Sequence, residues 1–152
     1  MSNQSSAYNP AAAHLPIARS TAIPGWVRAV VIVGALLMGL GAIIALVNPS
    51  LLVGPHDLIT GAVRIYAGYL TSRNLTIAVM LLAAMALRST AMLNSLMLLT
   101  GFIQWVDAIL DCLEGRWLVA PGVIVIGTLF LLASARVSGY PFWRSGAWKS
   151  AD

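Results

Sequence analysis

The chain has 152 residues, of which 59% are hydrophobic and only 9% are charged, and its mean hydropathy is +0.86. This composition is typical of a membrane-embedded protein and excludes a soluble globular domain of ordinary make-up. A net charge of +4 would favour nucleic acid as a partner of a soluble protein, but here the charges lie near the ends of apolar segments, where they orient a chain in a bilayer. We therefore expect the lipid bilayer, and not nucleic acid, to be the partner.

The chain begins with a polar segment that leads into a first apolar run. Residues 1–24 are rich in Ser, Ala, Pro and Asn and have no apolar periodicity, which predicts a disordered tail. Residues 26–47 form a run of 22 residues that is longer than the core of a signal peptide, and no small-residue cleavage pattern follows it. This run is predicted to be a retained membrane span.

The next apolar stretch, residues 58–87, is too long for one span perpendicular to the membrane. As a single helix it would measure about 45 Å, whereas the hydrocarbon core of a bilayer is about 30 Å thick. We divide it at Gly68, so that residues 68–87 form the second span. Whether residues 58–67 are re-entrant, interfacial or part of that span stays open at this point.

Two more spans follow after short turns. A turn at Arg88-Ser89-Thr90, in which Ser89 or Thr90 suits the N-cap position, leads into a third span over residues 91–113. A second turn at Glu114-Gly115-Arg116 leads into a fourth span over residues 117–135, and residues 137–152 form an aromatic and basic juxtamembrane tail. The predicted fold is all-α: an integral membrane four-helix antiparallel bundle with short loops, occupying residues 25–136.

The positions of the positive charges predict the orientation. If the N-terminus is cytoplasmic, the positive-inside rule is satisfied, because six of the nine Lys and Arg residues then lie on the cytoplasmic side. Both termini of this multi-pass protein are therefore expected in the cytoplasm. The cytoplasmic set is Arg19, Arg28, Arg88, Arg136, Arg144 and Lys149, and the opposite set is Arg64, Arg73 and Arg116.

Arg73 and Asp107 are the most informative residues, because each lies inside a predicted span. Arg73 lies seventeen positions before Thr90 and Asp107 seventeen positions after it. At about 1.5 Å per residue both are roughly 25 Å from the turn. Opposite charges at one depth on adjacent helices predict an interhelical ion pair, because pairing avoids leaving either charge bare in hydrocarbon.

Other polar side chains share the helix faces of these two residues. Spacings of three and four place them on one face of each helix, and together they predict a polar pocket that opens outward above an apolar inner end. On the second helix these residues are Tyr66, Tyr69, Arg73 and Thr76, with Asn74 beside them, and on the third helix they are Thr100, Gln104, Asp107, Asp111 and Glu114. Arg64, in the segment before the second span, completes the candidate set.

The residue pattern leaves the role of this set open. A buried Arg–Asp pair can simply fix the register of a small bundle, since polar groups form hydrogen bonds between membrane helices, or the pocket can hold a lipid-like or small polar ligand. The single Cys112 excludes an internal disulfide, and no His, Cys or carboxylate set has the spacing of metal ligands. No phosphate loop, dinucleotide fingerprint or nucleophile elbow is present, so no cofactor is expected.

Three features resemble the DoxX-like superfamily of small four-helix integral membrane proteins, in a branch of unknown function. They are the segment Tyr69-Leu70-Thr71-Ser72-Arg73-Asn74-Leu75, the segment Gln104-Trp105-Val106-Asp107, and the four-span layout over residues 26–135. The resemblance implies an inner-membrane protein without an assigned activity. Some relatives are linked to thiosulfate or quinone redox chemistry, but no residue of this chain maps onto such catalysis.

Two classes of function are consistent with the sequence. The first is a binding or accessory protein whose pocket holds a lipid, a quinone-like ligand or a partner helix, alone or as a homo-oligomer. The second is a membrane-embedded enzyme, an isomerase or a quinone- or thiosulfate-linked redox helper, with Asp107 or Glu114 as acid or base and Arg73 orienting an anionic group. A channel or transporter is disfavoured, because the spans show neither an inverted repeat nor a pair of broken helices.

Overall fold

The computed structural model describes residues 23–51, 58–141 and 143–144. These residues form four helices: α1 (Gly25–Val47), α2 (Gly61–Ala86), α3 (Thr90–Leu113) and α4 (Ala120–Ser138), with a short 3-10 turn at Pro49–Leu51 after α1. Each of the four is long and apolar enough to cross a membrane. The all-α four-helix bundle predicted from the sequence is confirmed, and the chain is a multi-pass membrane protein.

Polar and glycine residues define where the helices begin and end. The hydroxyl of Thr60 caps α2 by accepting a hydrogen bond from the Val63 N–H at 3.4 Å, and that of Ser89 caps α3 by accepting one from the Met92 N–H at 3.4 Å. Of the two expected cap residues in the turn between α2 and α3, Ser89 is therefore the cap. Gly139 ends α4 with a φ of 73°, a left-handed conformation that glycine adopts without steric cost.

Two helix boundaries differ from the predicted spans. α2 begins at Gly61 and runs through Gly68 without a break, so residues 61–67 are helical and continuous with the rest. The prediction divided the stretch because of its length, but a long helix can tilt in a bilayer, and one interior glycine costs a helix only about 1 kcal/mol. α4 begins at Ala120 and not at Trp117, because residues 117–119 form a turn and Pro121 lies in the first turn of the helix.

The predicted tails are mostly outside the described residues. Of residues 1–24, only Ile23 and Pro24 are described, and of residues 137–152 only those up to 141 and residues 143–144.

The helices pack as two pairs. α1 makes most of its contacts with α2, and α3 makes most of its contacts with α4, whereas α2 meets α3 and α1 meets α4 less extensively. In the first pair, the Thr71 hydroxyl on α2 reaches the backbone carbonyl of Ala42 on α1 at 3.0 Å. In the second pair, a Cβ atom on Gly101 would lie 3.1 Å from the carbonyl oxygen of Gly127, a close approach that small residues permit between membrane helices.

The apolar core lies at one end of the bundle. We call the end where α1 begins and α4 ends the tail end, and the end that holds the α1–α2 and α3–α4 connections the loop end. All four helices contribute to the core, and all its members except Met38 lie in the tail-end halves of their helices. This agrees with the apolar end that the sequence predicts opposite the polar pocket. The buried core residues are Val27, Val31, Ala35, Met38, Ile77, Ala78, Leu81, Ala84, Leu93, Leu96, Met97, Phe130 and Ala133.

Candidate functional site

Arg73 and Asp107 form the interhelical ion pair that their matched positions predict. Nη2 of Arg73 lies 2.8 Å from Oδ2 of Asp107, and Nη1 lies 3.3 Å from Oδ1. Both carboxylate oxygens therefore accept hydrogen bonds from one guanidinium, the bidentate arrangement that is the strongest form of this contact. The pair joins α2 to α3 and so links the two helix pairs away from the apolar core.

The guanidinium of Arg73 retains hydrogen-bonding capacity beyond this pair. Its Nε–H donates to Oδ1 of the neighbouring Asn74 at 3.3 Å. A guanidinium has five N–H donors, and the contacts to described residues engage one on each nitrogen. The side chain of Arg73 is 37% exposed and that of Asp107 is 28% exposed, so the pair is not sealed by protein.

The two tyrosines on the Arg73 face of α2 are exposed on the loop-end side of the ion pair. Tyr66 and Tyr69 lie seven and four positions before Arg73, which places them on its face, toward the loop end. Tyr66 is nevertheless 78% exposed and Tyr69 74% exposed, so α3 does not cover them. On α3, Glu114 lies seven positions after Asp107, on the Asp107 face, and its side chain is 65% exposed.

These positions share a surface between α2 and α3 on the loop-end side of the ion pair, and we call this surface the α2–α3 crevice. Its floor is the Arg73–Asp107 pair with Asn74, its α2 wall carries Tyr66 and Tyr69, and its other wall is the loop-end part of α3. It opens toward the loop end.

Gln104 and Asp111 lie away from this crevice, on the side of α3 that faces α4. Their spacing from Asp107 keeps both within about 40–60° of it round α3, and their contacts are what separate them from Arg73. A Cβ atom on Gly127 of α4 would lie 3.0 Å from Cβ of Gln104. Asp111 is buried, and its Oδ1 lies 2.6 Å from Nη2 of Arg116 in the α3–α4 connection. The structure therefore separates two candidate residues from the Arg73 site.

The Asp111–Arg116 pair is a second ion pair at the loop end. Arg116 also lies 4.0 Å from Glu114, measured from Nε to Oε2, and its backbone N–H donates to the carbonyl of Asp111 at 2.8 Å. Because these contacts span only the turn between α3 and α4, they fix that connection and do not bridge the two helix pairs.

Arg64 lies on the opposite side of α2 from Arg73. The two are nine positions apart, which corresponds to about 180° of rotation round the helix. Arg64 lines a cleft of about 350 Å³ between the loop ends of α1 and α2, together with Ala45, Leu46, Val47, Pro49 and Ala67. The sequence pattern predicted that Arg64 belongs to the polar pocket, but Arg64 lines this separate cleft, which we call the α1–α2 cleft.

Another cleft, of about 230 Å³, lies between α1 and α4 and is apolar. It is lined by Ala29, Val30, Val33, Gly34, Leu37, Ile126 and Leu129. Among the described residues, no three His, Cys, Asp or Glu side chains gather in a group that could hold a metal ion.

Comparisons with known proteins identify no relative, since no family model, no characterised protein and no solved structure matches the chain. The resemblance to the DoxX-like superfamily therefore stays a prediction that depends on the residues quoted for it.

Proposed function

We propose that this protein is a membrane-embedded binding or accessory protein whose α2–α3 crevice takes the polar, anionic end of a lipid-like ligand. The observation that carries the proposal is the partly exposed Arg73–Asp107 pair at the floor of the crevice. The proposed setting is a bacterial inner membrane with both termini in the cytoplasm, and a DoxX-like relationship is part of the same proposal.

The exposure of the ion pair favours a ligand over a purely structural role. An ion pair that only fixes helix register does not need accessible N–H donors, whereas a binding site for an anionic group does. Here the Arg73 side chain is 37% exposed, and it has N–H donors to offer to an anionic oxygen while the pair with Asp107 persists.

The α2 wall also suits an amphiphile. Tyr66 and Tyr69 present both an aromatic ring and a hydroxyl, and such side chains prefer the membrane–water interface, where one end is apolar and the other wet. A ligand with a polar head and an apolar body could place its head at Arg73 and its body along the rings.

The enzyme alternative has less support from the geometry. Both oxygens of Asp107 accept hydrogen bonds from Arg73, which suits this carboxylate to holding the guanidinium in place. Glu114 lies at the C-cap of α3 beside Arg116, at the edge of the crevice and not at its floor. A role of either residue as acid or base stays a prediction.

The test compares ligand retention and folding in a charge-swapped variant. We would purify the full chain in a mild detergent, identify small molecules that co-purify by mass spectrometry, and repeat this with Arg73→Gln and with the double variant Arg73→Asp/Asp107→Arg. Arg28→Gln, which removes an exposed charge on α1 near the tail end, is the matched control.

The expected result is that the control retains the wild-type ligand and Arg73→Gln loses it. The double variant should regain wild-type thermal stability without regaining the ligand, because the guanidinium then projects from α3. If the double variant regains both stability and ligand, or if Arg73→Gln retains the ligand at the wild-type level, the proposal is wrong and the pair is structural.

A further inference from the structure

We propose that the α1–α2 cleft is a second binding site, in which Arg64 binds the phosphate of an anionic phospholipid from the surrounding bilayer. The proposal is independent of the function proposed for the α2–α3 crevice, because Arg64 and Arg73 lie on opposite sides of α2.

The position of the cleft matches the depth of lipid headgroups. Val47 is the last residue of α1, and Arg64 is in the first turn of α2 after Gly61, so both lie at the loop end. At 1.5 Å per residue α1 is about 35 Å long, which places its ends just beyond a hydrocarbon core of about 30 Å. The cleft therefore lies where phosphate groups of the adjacent leaflet lie.

The chemistry of the lining suits an amphiphilic phosphate ester. Of the described residues that line the cleft, Arg64 alone is charged, and the remainder are apolar. A guanidinium matches phosphate geometry and can donate two parallel hydrogen bonds to it. From Leu46, the exposed side chains of Ile43 and Leu36 continue the surface down the lipid-facing side of α1, where an acyl chain can lie.

Among the described residues, none occupies the Arg64 side chain as a partner, which leaves it available for such a ligand. Its side chain makes no hydrogen bond and no ion pair with another residue in ranges 23–51, 58–141 and 143–144, whereas Arg73 and Arg116 are both held by carboxylates. Arg64 also lies in the first turn of α2, where the unpaired N–H groups of a helix start add a partial positive charge that favours an anion.

The size and floor of the cleft point to a headgroup and not to a protein helix. A volume of about 350 Å³ is at the lower end of the range for small-molecule sites. The floor is formed by the buried small residues Ala45 and Ala67, which leave this space unfilled where α1 and α2 pack together. An apolar partner helix seated there would bury the Arg64 charge without a counterion, which is strongly unfavourable.

The experiment measures lipid retention by the full chain. Wild-type protein and the variants Arg64→Gln, Arg64→Lys, Arg73→Gln and Arg28→Gln would be reconstituted into nanodiscs of phosphatidylcholine with one-fifth phosphatidylglycerol. Phosphatidylglycerol that remains bound after transfer to detergent would be counted by native mass spectrometry. A further variant, Leu46→Trp, fills the cleft without changing its charge.

We expect Arg64→Gln and Leu46→Trp each to reduce bound phosphatidylglycerol at least five-fold, and Arg64→Lys to reduce it less. These counts are compared in the Arg73→Gln background, in which lipid held at the α2–α3 crevice does not contribute, and Arg28→Gln should leave the count unchanged there. Equal retention by wild type, Arg64→Gln and Leu46→Trp would overturn the proposal. A loss of lipid in Arg28→Gln as large as the loss in Arg64→Gln would overturn it too.

A binding measurement on delipidated protein distinguishes a lipid headgroup from free phosphate. Short-chain dihexanoyl phosphatidylglycerol should bind the wild type and bind Arg64→Gln at least five-fold more weakly in isothermal titration calorimetry. Inorganic phosphate should bind much more weakly than the short-chain lipid. Equal affinities for the two would show a plain anion site and refute the assignment to a phospholipid.

Discussion

Removal of one partner of the Arg73–Asp107 pair should destabilise the bundle, because the other charge is left unpaired. In Asp107→Asn, Arg73 keeps its charge at the junction of α2 and α3 but loses its counterion. Exposed ion pairs contribute about 0.2–1 kcal/mol, whereas breaking a fully buried pair costs about 3–5 kcal/mol. Because the side chains of this pair are 37% and 28% exposed, solvent screening lowers the buried value, and we expect a loss of about 1–3 kcal/mol in the free energy of unfolding.

The double-mutant cycle isolates the interaction. Arg73→Met should cost a similar amount, since it leaves Asp107 unpaired, and the double variant Arg73→Met/Asp107→Asn should cost less than the sum of the two single variants by about 1–2 kcal/mol. The free energies would be measured in bicelles by steric trapping, in which a bulky binding protein captures the separated helices. Phosphatidylglycerol should be absent, so that lipid bound at Arg64 does not contribute.

A coupling energy below about 0.5 kcal/mol would refute this reasoning, because it lies within the usual additivity of independent sites. It would show that the bidentate contact contributes no more than an exposed surface pair. The control is Thr76→Val, a substitution of an exposed residue on α2 one turn from Arg73, which should show no coupling with Asp107→Asn.

Three further substitutions test the packing of the helix pairs. Gly127→Ala should lower the free energy of unfolding, measured by chemical denaturation, by about 1–3 kcal/mol, because the added Cβ would lie 3.1 Å from the Gly101 carbonyl oxygen. The control is Gly122→Ala on the same helix, where a Cβ meets nothing within 4 Å, and it should show no loss. Asp111→Asn should lower the free energy of unfolding by about 1–3 kcal/mol, because it weakens the 2.6 Å contact with Arg116. The loss would be measured as a lower thermal midpoint in detergent, and a loss no greater than that of Glu114→Gln would contradict the prediction. Ser134→Ala removes the 2.6 Å hydrogen bond to Oδ1 of Asn94 between α3 and α4 and should lower the free energy of unfolding by about 1 kcal/mol. An unchanged midpoint of chemical denaturation would contradict this prediction.

The spans and the central ion pair could be predicted because they depend on local information. Apolar runs of sufficient length predict membrane helices directly. The Arg73–Asp107 contact followed from counting residues on either side of the Ser89 turn, since a tight turn forces equal distances along two antiparallel helices. Neither inference needs the angle at which the helices pack.

The positions of Gln104, Asp111 and Arg64 could not be predicted in the same way. A polar stripe of about 100° on α3 can face α2 or α4, and the choice depends on how far the helices rotate about their axes, which here is fixed by the approach of Gly101 to Gly127. Dividing the second stretch at Gly68 interrupted the helical phase between Arg64 and Arg73. Read as one helix, the nine-residue spacing would have placed them on opposite faces.

The uneven distribution of contacts has a mechanical consequence. The four helices share a core only near the tail end, so a small rotation of one helix pair against the other would change the spacing of their far ends most. With a lever arm of about 25 Å, a rotation of about 5° displaces those ends by about 2 Å, a typical amplitude for rigid-body shifts. Such a movement widens the gap between α2 and α3 while the buried side chains stay in contact. Within the described part of the chain, the bridge from Arg73 to Asp107 is the principal polar contact that opposes this movement.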